Sequence, residues 1–271
     1  YVLYDYKIYV RYRRVILKII RNIPALFKLY GSLPQLSRFK RGIEQAKIAG
    51  DMTEERRNMR LACTRWADTL IKKFNVQVNI TGQENLPEKG PVVIVSNHQG
   101  YADIIVLMHA VNNIQFGFIA KDDLIKLPLF GKWILRIGSV SIHREDPRAA
   151  VKAILEGIKM LKNGYSMAVF PEGTRSKSPV MGTFLRGALK LATKPKVPIL
   201  PVTISGSYKI FEDSGMIKGA PLDVTIHKMI ETKNLSKEEE LHLAETLEHL
   251  IGGALPDPQK TEALIEKQPS V

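Results

Sequence analysis

The pattern of apolar and polar positions divides the chain into a helical N-terminal part and a body in which strands and helices alternate. Between residues 3 and 31, helical spacing collects apolar side chains on one side and Lys and Arg on the other. Pro34 breaks this pattern, and Gly50 with Asp51 ends a shorter helical arm over about 35–49. The sequence therefore predicts an amphipathic helical hairpin in the first 50 residues, followed by a third helix over about 53–73.

The body after this helix has the pattern of an α/β domain. Short apolar, β-branched runs predict strands at 76–81, 91–96, 115–120, 139–142, 166–170, 197–204 and 222–227. Helical periodicity fills most intervals, notably 147–162 and 184–193, and Ser236 with Glu239 forms a capping box before a last helix. We expect a mixed, largely parallel sheet flanked by helices over 51–255, and a polar tail over 256–271.

Two of the predicted strands are each followed by a polar loop. The strand at 91–96 leads into Asn-His-Gln-Gly-Tyr-Ala-Asp over 97–103, and the strand at 166–170 leads into Pro-Glu-Gly-Thr-Arg-Ser over 171–176. Open α/β sheets bind their ligands outside the carboxyl ends of the strands. Both loops are therefore candidates for a single site.

His98 and Asp103 have the spacing of a base and the acid that orients it. A turn at Gly100 can fold the carboxylate back onto the imidazole, where it would fix the tautomer and stabilise the imidazolium. Such an imidazole removes a proton from a hydroxyl near neutral pH, a role worth roughly 10²–10⁴ in rate. The pair alone is a weak indication, because a histidine that caps or lines the next helix has the same spacing. The second polar loop favours the catalytic interpretation.

The two loops resemble the first and third motifs of the glycerolipid acyltransferase superfamily, N-H-x-x-x-x-D and F-P-E-G-T-R-S, without a substitution. The run over 197–202, Val-Pro-Ile-Leu-Pro-Val, resembles the fourth motif. The positions that resemble the second motif are Lys121, Asp122, Asp123, Leu124, Pro128, Gly131, Gly138, Ile142, His143 and Arg144. Asp123 departs from the Glu of many members but keeps the charge. The resemblance covers about residues 75–230 and is greatest to the bacterial 1-acylglycerol-3-phosphate acyltransferases.

This resemblance implies transfer of an acyl chain from an acyl thioester to the sn-2 hydroxyl of lysophosphatidate, which makes phosphatidate. His98, oriented by Asp103, would deprotonate the hydroxyl, and backbone N–H groups of a strand-end loop would stabilise the oxyanion. Coenzyme A or acyl carrier protein would bring the acyl chain, and we expect no cofactor and no metal ion. The alternatives are an acyltransferase for glycerol-3-phosphate or another lysophospholipid, and a lysophospholipid hydrolase.

The phosphate of such an acceptor requires fixed cationic donors, and two arginines follow predicted strands. Arg144 comes after the strand at 139–142, and Arg175 comes after the Glu-Gly-Thr turn. Guanidinium groups at these positions would hold a phosphate bidentately, and Lys121 would add charge at the same end of the sheet. The alternative for each arginine is a surface cation.

The remaining predicted substrate-binding residues lie within the two loops. Gly173 lets backbone N–H groups approach a ligand, and Thr174 adds a hydroxyl donor. Glu172 would anchor an arginine or bind the glycerol hydroxyl. Asn97 belongs to the predicted set through its place in the first motif.

The charge of the chain indicates an anionic partner, which is either a membrane surface or a nucleic acid. The formal net charge is +13, and residues 1–50 hold eleven Lys and Arg against two acidic residues, which leaves +4 for the remainder. A basic amphipathic helix of this kind lies in the bilayer interface. Charges interrupt every apolar stretch in this segment, so we expect neither a spanning helix nor a signal peptide.

We therefore expect monotopic association with an anionic membrane, at the cytoplasmic face of the inner cell membrane, and no nucleic-acid partner. One alternative is a helix that packs its apolar stripe on the catalytic domain. Another is a non-catalytic protein that bends membranes or binds nucleic acid, which would explain the basic segment but leave the two polar loops without a role.

Cys63 and Ser166 are the alternatives for a covalent mechanism. Cys63 is the one cysteine of the chain and has no histidine near it in sequence, so we interpret it as a small core residue. Ser166 lies in a near match to G-x-S-x-G but precedes its strand, whereas a nucleophile elbow follows one. Direct acyl transfer without an acyl-enzyme is therefore expected.

Overall fold

The structure is a computed structural model that describes residues 2–143 and 146–256. Arg144 and all but the first residue of the predicted tail lie outside the described residues. The predictions made for them keep that status.

The N-terminal part consists of α1 (Val2–Tyr30), α2 (Ser37–Ala49) and α3 (Met52–Lys73). Gly50 ends α2 in the left-handed conformation, with φ at 70°, which a residue without a Cβ adopts without strain. Asp51 then caps α3, because its carboxylate accepts the backbone N–H groups of Thr53 and Glu54. The two helices predicted for the first 50 residues and the third helix are all present.

All seven predicted strands are present within two residues of their expected bounds. They are β1 (Gln77–Thr81), β2 (Val93–Ser96), β3 (Phe116–Lys121), β4 (Val140–Ile142), β5 (Ser166–Val169), β6 (Ile199–Ser205) and β7 (Pro221–Ile226). The helices of the body are α4 (Asp103–Ala110), α5 (Asp122–Ile125), α6 (Phe130–Arg136), α7 (Pro147–Lys162), α8 (Arg186–Thr193) and α9 (Lys237–Gly252). The capping box of Ser236 and Glu239 is formed at the start of α9.

The strands form one sheet in the order β1-β7-β6-β2-β5-β3-β4. The five strands from β6 to β4 are mutually parallel, whereas β7 runs antiparallel to β6 and pairs in parallel with β1. The predicted fold class, a mixed and largely parallel sheet flanked by helices, is confirmed. Because β2, β5 and β3 are neighbours and parallel, the loops that follow them leave the sheet at the same edge.

Helices cover both faces of this sheet. Ile94 of β2 packs in a cluster with Leu70 of α3 and Leu107 of α4. Its neighbours Val93 and Val95 point to the other face, into a cluster built with α7, α8 and α9. A strand buried on both sides is continuously apolar, which is why β2 is recognisable in the sequence.

The second half of the N-terminal hairpin belongs to the core of the body. Leu33, Leu36 and Phe39 are buried in the same cluster as the sheet residues. The indole N–H of Trp66 in α3 donates a 2.8 Å hydrogen bond to the hydroxyl of Ser32. Residues on both sides of the predicted boundary at residue 50 therefore share one cluster, because α2 and the turn before it supply apolar side chains to the sheet face.

The first helix contacts the body through a narrow side. The amide of Asn22 exchanges two 2.8 Å hydrogen bonds with the backbone of Gly215 and Ile217. Ala25 is buried beside it, whereas Ile19 is 59% and Phe27 74% exposed. The apolar stripe is thus not the docking face of α1. Among the described helices, none has the length and apolar composition needed to cross a bilayer.

The core position of the hairpin can be tested with one pair of substitutions. Leu36→Ala should lower the free energy of unfolding by about 2–5 kcal/mol, because it opens a cavity in a packed cluster. Ile48→Ala is the matched control from the same hairpin, since Ile48 is 88% exposed, and should change it by less than about 0.5 kcal/mol. Urea denaturation measures both, and equal values would contradict the assignment of Leu36 to the core.

Candidate active site

The predicted pair of His98 and Asp103 is formed at the carboxyl end of β2. The imidazole Nδ1 lies 2.7 Å from the Asp103 Oδ2. Asp103 is fully buried, and His98 is 7% exposed. Since an ionised carboxylate accepts hydrogen bonds and does not donate them, Nδ1 carries the shared proton and Nε2 keeps its lone pair. The free nitrogen is therefore available as a base.

The carboxylate of Asp103 is held by further donors. The backbone N–H of Gly100 donates to Oδ2 at 2.8 Å, as the predicted turn requires. The hydroxyl of Ser207, which is itself fully buried, donates to Oδ1. Asp103 also begins α4, where the helix dipole favours a negative charge. These contacts fix the acid before any substrate binds.

The plane of the imidazole is set by Phe170. The two rings are stacked with their centroids 4.0 Å apart and an interplanar angle of 12°. Phe170 directly follows β5, the neighbour of β2 in the sheet. The base is therefore held at one edge by Asp103 and on one face by the second polar loop.

Backbone and side-chain hydrogen bonds join the two predicted loops. The carboxylate of Glu172 accepts the backbone N–H of His98 at 2.6 Å and that of Gly182 at 2.7 Å. Burial raises the pKa of Glu172, against the opposing effect of these two hydrogen bonds. Ser176 donates its backbone N–H to the carbonyl of His98 at 2.8 Å. The structure thus brings the two loops together, as expected.

The turn at Gly173 engages the backbone N–H that was predicted to face a ligand. Gly173 has a φ of 70°, which suits glycine. Its backbone N–H donates to the carbonyl of Phe170 at 3.1 Å and so closes the turn. Thr174 is exposed beside it. The hydroxyl of Thr174 is therefore accessible to a ligand, whereas the N–H of Gly173 is used within the loop.

Asn97 has a different position from the one expected of a substrate-binding residue. It is fully buried, and its amide exchanges two 2.8 Å hydrogen bonds with the backbone of Ile204 in β6. Because both polar atoms of the side chain are engaged with the sheet, the geometry gives Asn97 a role in fixing the start of the loop. This structural role replaces the predicted direct contact of Asn97 with the substrate.

Arg175 has a carboxylate partner that the sequence analysis missed. Its Nη1 lies 2.7 Å from Oε1 of Glu212, and its guanidinium lies 3.6 Å from the centre of the Tyr101 ring. The anchor for an arginine that we expected of Glu172 is thus supplied by Glu212. Glu212 belongs to no recognised motif, and its one signal in the sequence is an acidic residue in the segment after β6.

Lys121 lies at the end of β3, on the same edge of the sheet as His98. Its Nζ is 2.7 Å from Asp123. Next to it, hydrogen bonds from His143 and then from Lys126 lower the pKa of Asp122 to about 2. The second motif therefore forms a set of charged pairs at this edge.

Neither of the two alternative nucleophiles, Cys63 and Ser166, has the features of a catalytic nucleophile. Burial raises the pKa of the Cys63 thiol to about 12, so it is not a thiolate at neutral pH. Ser166 begins β5 inside the sheet, and its hydroxyl accepts the backbone N–H of Val92 at 3.2 Å. Within residues 2–143 and 146–256, no group of three or more His, Cys, Asp or Glu side chains is placed to hold a metal ion.

The fold and the site define a class of α/β protein with a buried His–Asp pair at the carboxyl edge of a largely parallel sheet. Residues 77–205 match the acyltransferase family. A probable 1-acyl-sn-glycerol-3-phosphate acyltransferase of Mycoplasma genitalium is 32% identical over 187 residues, which cover 65% of this chain and 69% of that protein. The chain belongs to the acyltransferase family.

Two further comparisons agree in fold and sequence. The chloroplastic 1-acyl-sn-glycerol-3-phosphate acyltransferase of Arabidopsis thaliana is 38% identical over 168 residues, which cover 61% of this chain and 46% of that protein. The chain spans about half the length of this relative and of one from Brassica napus. The crystal structure of the 1-acyl-sn-glycerophosphate acyltransferase PlsC from Thermotoga maritima superposes with a TM-score of 0.69 at 26% identity, covering 90% of this chain and 96% of that one.

The hydrogen bond from Ser207 provides a test of how Asp103 is held. Ser207→Ala should lower the free energy of unfolding by about 1.5–3 kcal/mol, because a buried carboxylate loses one of its donors. Ser205→Ala, two residues earlier at the end of β6, is the matched control and should have a much smaller effect. Urea denaturation of both variants is the measurement. Equal stabilities would show that Ser207 does not support the acid.

Proposed function

We propose that the chain is a 1-acyl-sn-glycerol-3-phosphate O-acyltransferase. It would move an acyl chain from a thioester to the sn-2 hydroxyl of lysophosphatidate and form phosphatidate. The observation that carries this proposal is the buried pair of His98 and Asp103, with the Nε2 of the imidazole free to accept a proton. The names of the relatives from Arabidopsis thaliana and Mycoplasma genitalium support the choice of acceptor.

The chemistry proposed for the pair is general-base catalysis. Nε2 of His98 takes the proton of the acceptor hydroxyl as its oxygen attacks the thioester carbonyl. Asp103 stabilises the imidazolium that forms. The tetrahedral intermediate then expels the thiolate, which receives the proton back from His98. Backbone N–H groups of a strand-end loop remain our proposal for the oxyanion donors.

Recognition of the acceptor phosphate is assigned to the cations of the same edge. Arg175 comes after β5, and Lys121 is the last residue of the neighbouring strand β3; both strands are parallel to β2. Arg144 follows β4 in sequence and is proposed as the third cation. Coenzyme A or acyl carrier protein is the proposed source of the acyl chain, and the reaction as written uses no cofactor.

Association with an anionic membrane, at the cytoplasmic face of the inner cell membrane, is proposed through α1. Ile16, Ile19, Ile20 and Ile23 are each between 41% and 59% exposed, and Phe27 is 74% exposed. A contiguous apolar face of this kind on a folded protein marks an interaction site. The cations on the other sides of α1 would be attracted to anionic lipid at about 1 kcal/mol each.

The catalytic pair is tested by His98→Ala and Asp103→Asn. Each should lower kcat/KM for acyl transfer to lysophosphatidate by about 10²–10⁴-fold, because the base or its orienting acid is lost. His109→Ala is a matched control, since His109 also pairs with an aspartate, Asp68, at 2.7 Å, but on the far part of α4. The assay supplies the acyl chain on coenzyme A and, separately, on acyl carrier protein.

Phosphatidate and free fatty acid are quantified together in this assay. Release of fatty acid without phosphatidate would show that the protein is a hydrolase and not a transferase. A folded His98→Ala protein with wild-type turnover would remove the proposed mechanism.

Membrane binding is tested by sedimentation with vesicles that contain anionic lipid. Ile19→Ser, Ile23→Ser and Phe27→Ser combined should weaken binding at every salt concentration, because apolar burial is not screened. Lys18→Gln with Arg21→Gln should weaken it chiefly at low salt, since the Debye length falls to about 3 Å at 1 M.

The control for the apolar variant is Leu241→Ser with Leu250→Ser, two exposed leucines of α9. This control should bind vesicles as the wild type does. If the α1 variant also binds as the wild type does, the membrane contact lies elsewhere on the protein.

A further inference from the structure

Glu212 is a buried acid outside every motif of the sequence. Its side chain is 2% exposed. Its Oε1 accepts the backbone N–H of Tyr101 at 2.9 Å and Nη1 of Arg175 at 2.7 Å. Among the described residues, its Oε2 has no hydrogen-bond partner. Burying a carboxylate is costly unless it is paired, so the contacts that Glu212 does make should matter to the protein.

The contacts of Arg175 fix its guanidinium in two ways. The ring of Tyr101 lies 3.6 Å below it and sets the plane. The carboxylate of Glu212 binds Nη1 and sets the rotation within that plane. An arginine has five N–H donors in a rigid planar fork, so fixing one edge also fixes where the others point. The side chain is 21% exposed, and part of it is therefore open to a ligand.

Glu212 also contacts the loop that carries the base. It receives the N–H of Tyr101, and a Cβ added at Gly100 would collide with its Oε2. Gly100 in turn donates its N–H to Asp103. One carboxylate therefore touches both the loop after β2 and the arginine after β5. The position of the arginine relative to the His98 loop is set by this contact.

We propose that Glu212 is a positioning residue that orients Arg175 and, through it, determines the preference for an acceptor that carries a phosphate monoester. This proposal rests on the proposed function, because it assigns Arg175 to the acceptor phosphate. The carboxylate neutralises part of the charge of Arg175, but the same contact holds the guanidinium in one orientation. A preoriented fork loses less freedom when it binds a phosphate than a mobile one does.

The test compares kcat and KM of Glu212→Ala for lysophosphatidate and for a monoacylglycerol of the same chain length. KM for lysophosphatidate should rise about tenfold with kcat changed less than about twofold, the size expected for loss of one charge-assisted interaction. KM for monoacylglycerol should be unchanged, and any small loss of kcat that comes from releasing the Tyr101 N–H should be equal for the two acceptors. Asp213→Ala is the matched control, because the neighbouring Asp213 pairs with the exposed Lys218 and should have no effect.

A double-mutant comparison shows whether Glu212 acts through Arg175. The protein with both Glu212→Ala and Arg175→Ala should have the same KM for lysophosphatidate as Arg175→Ala alone. Additive effects on KM would overturn the proposal, and so would an equal rise of KM for both acceptors. Glu212→Gln keeps an oxygen acceptor without the charge and should raise KM for lysophosphatidate about threefold. It replaces Glu212→Ala in these measurements if the alanine variant does not fold.

A measurement without catalysis separates this proposal from the proposed function. In protein labelled with ¹⁵N-arginine, rotation of the Arg175 guanidinium should be slow in the wild type and faster in Glu212→Ala or Glu212→Gln. Slow rotation in all three proteins would overturn the positioning role even for an active enzyme. A wild type that is inactive on lysophosphatidate would instead refute the proposed function and the preference assigned here, while the rotation result would still decide the positioning role.

Discussion

The burial of one carboxylate, that of Asp103, is the constraint on which the site depends. An ionised acid with no exposure is tolerated when donors surround it. Here the donors are the His98 imidazole, the Gly100 backbone and the Ser207 hydroxyl. They come from the loop after β2 and from the segment after β6, which are neighbouring strands. The pairing of the two strands and the orientation of the base are therefore parts of one arrangement, and neither is stable in the same form without the other.

Two further acids hold the His98 loop from different directions. Glu172, from the loop after β5, accepts the backbone N–H of His98, and Glu212, from the segment after β6, accepts that of Tyr101. Both take N–H groups that a strand-end loop would otherwise leave to water. The base thus sits on a loop whose backbone is fixed at two points, which is how a loop is held as accurately as a helix or strand would hold it. This also explains why the conspicuous Glu of the third motif supports the loop and does not anchor an arginine.

The parts of this structure that follow from local sequence were predictable. Continuous apolar runs gave the strands, and the turn at Gly100 gave the contact between His98 and Asp103. Ser207 and Glu212 were missed because their partners lie 104 and 111 residues away, and no local pattern records such a contact. The helices α5 and α6 were not located individually, because four and seven residues are too few to show a helical period. The packing of Leu33, Leu36 and Phe39 on the body was not predicted, because an amphipathic pattern shows that a face will be covered, but not by what.

The N-terminal helices illustrate this last point, because two similar amphipathic patterns have different outcomes. In α2, Phe39 and Ile43 are buried against the body. In α1, Asn22, Ala25 and Leu29 make the contact, and the apolar stripe from Ile16 to Phe27 on the other side stays exposed. Because α1 already contacts the body through another side, its exposed apolar stripe is not needed for packing on the domain. A lipid acceptor has an apolar chain and an anionic headgroup, and a helix with an exposed apolar stripe and cations on its other sides is complementary to a surface made of such molecules.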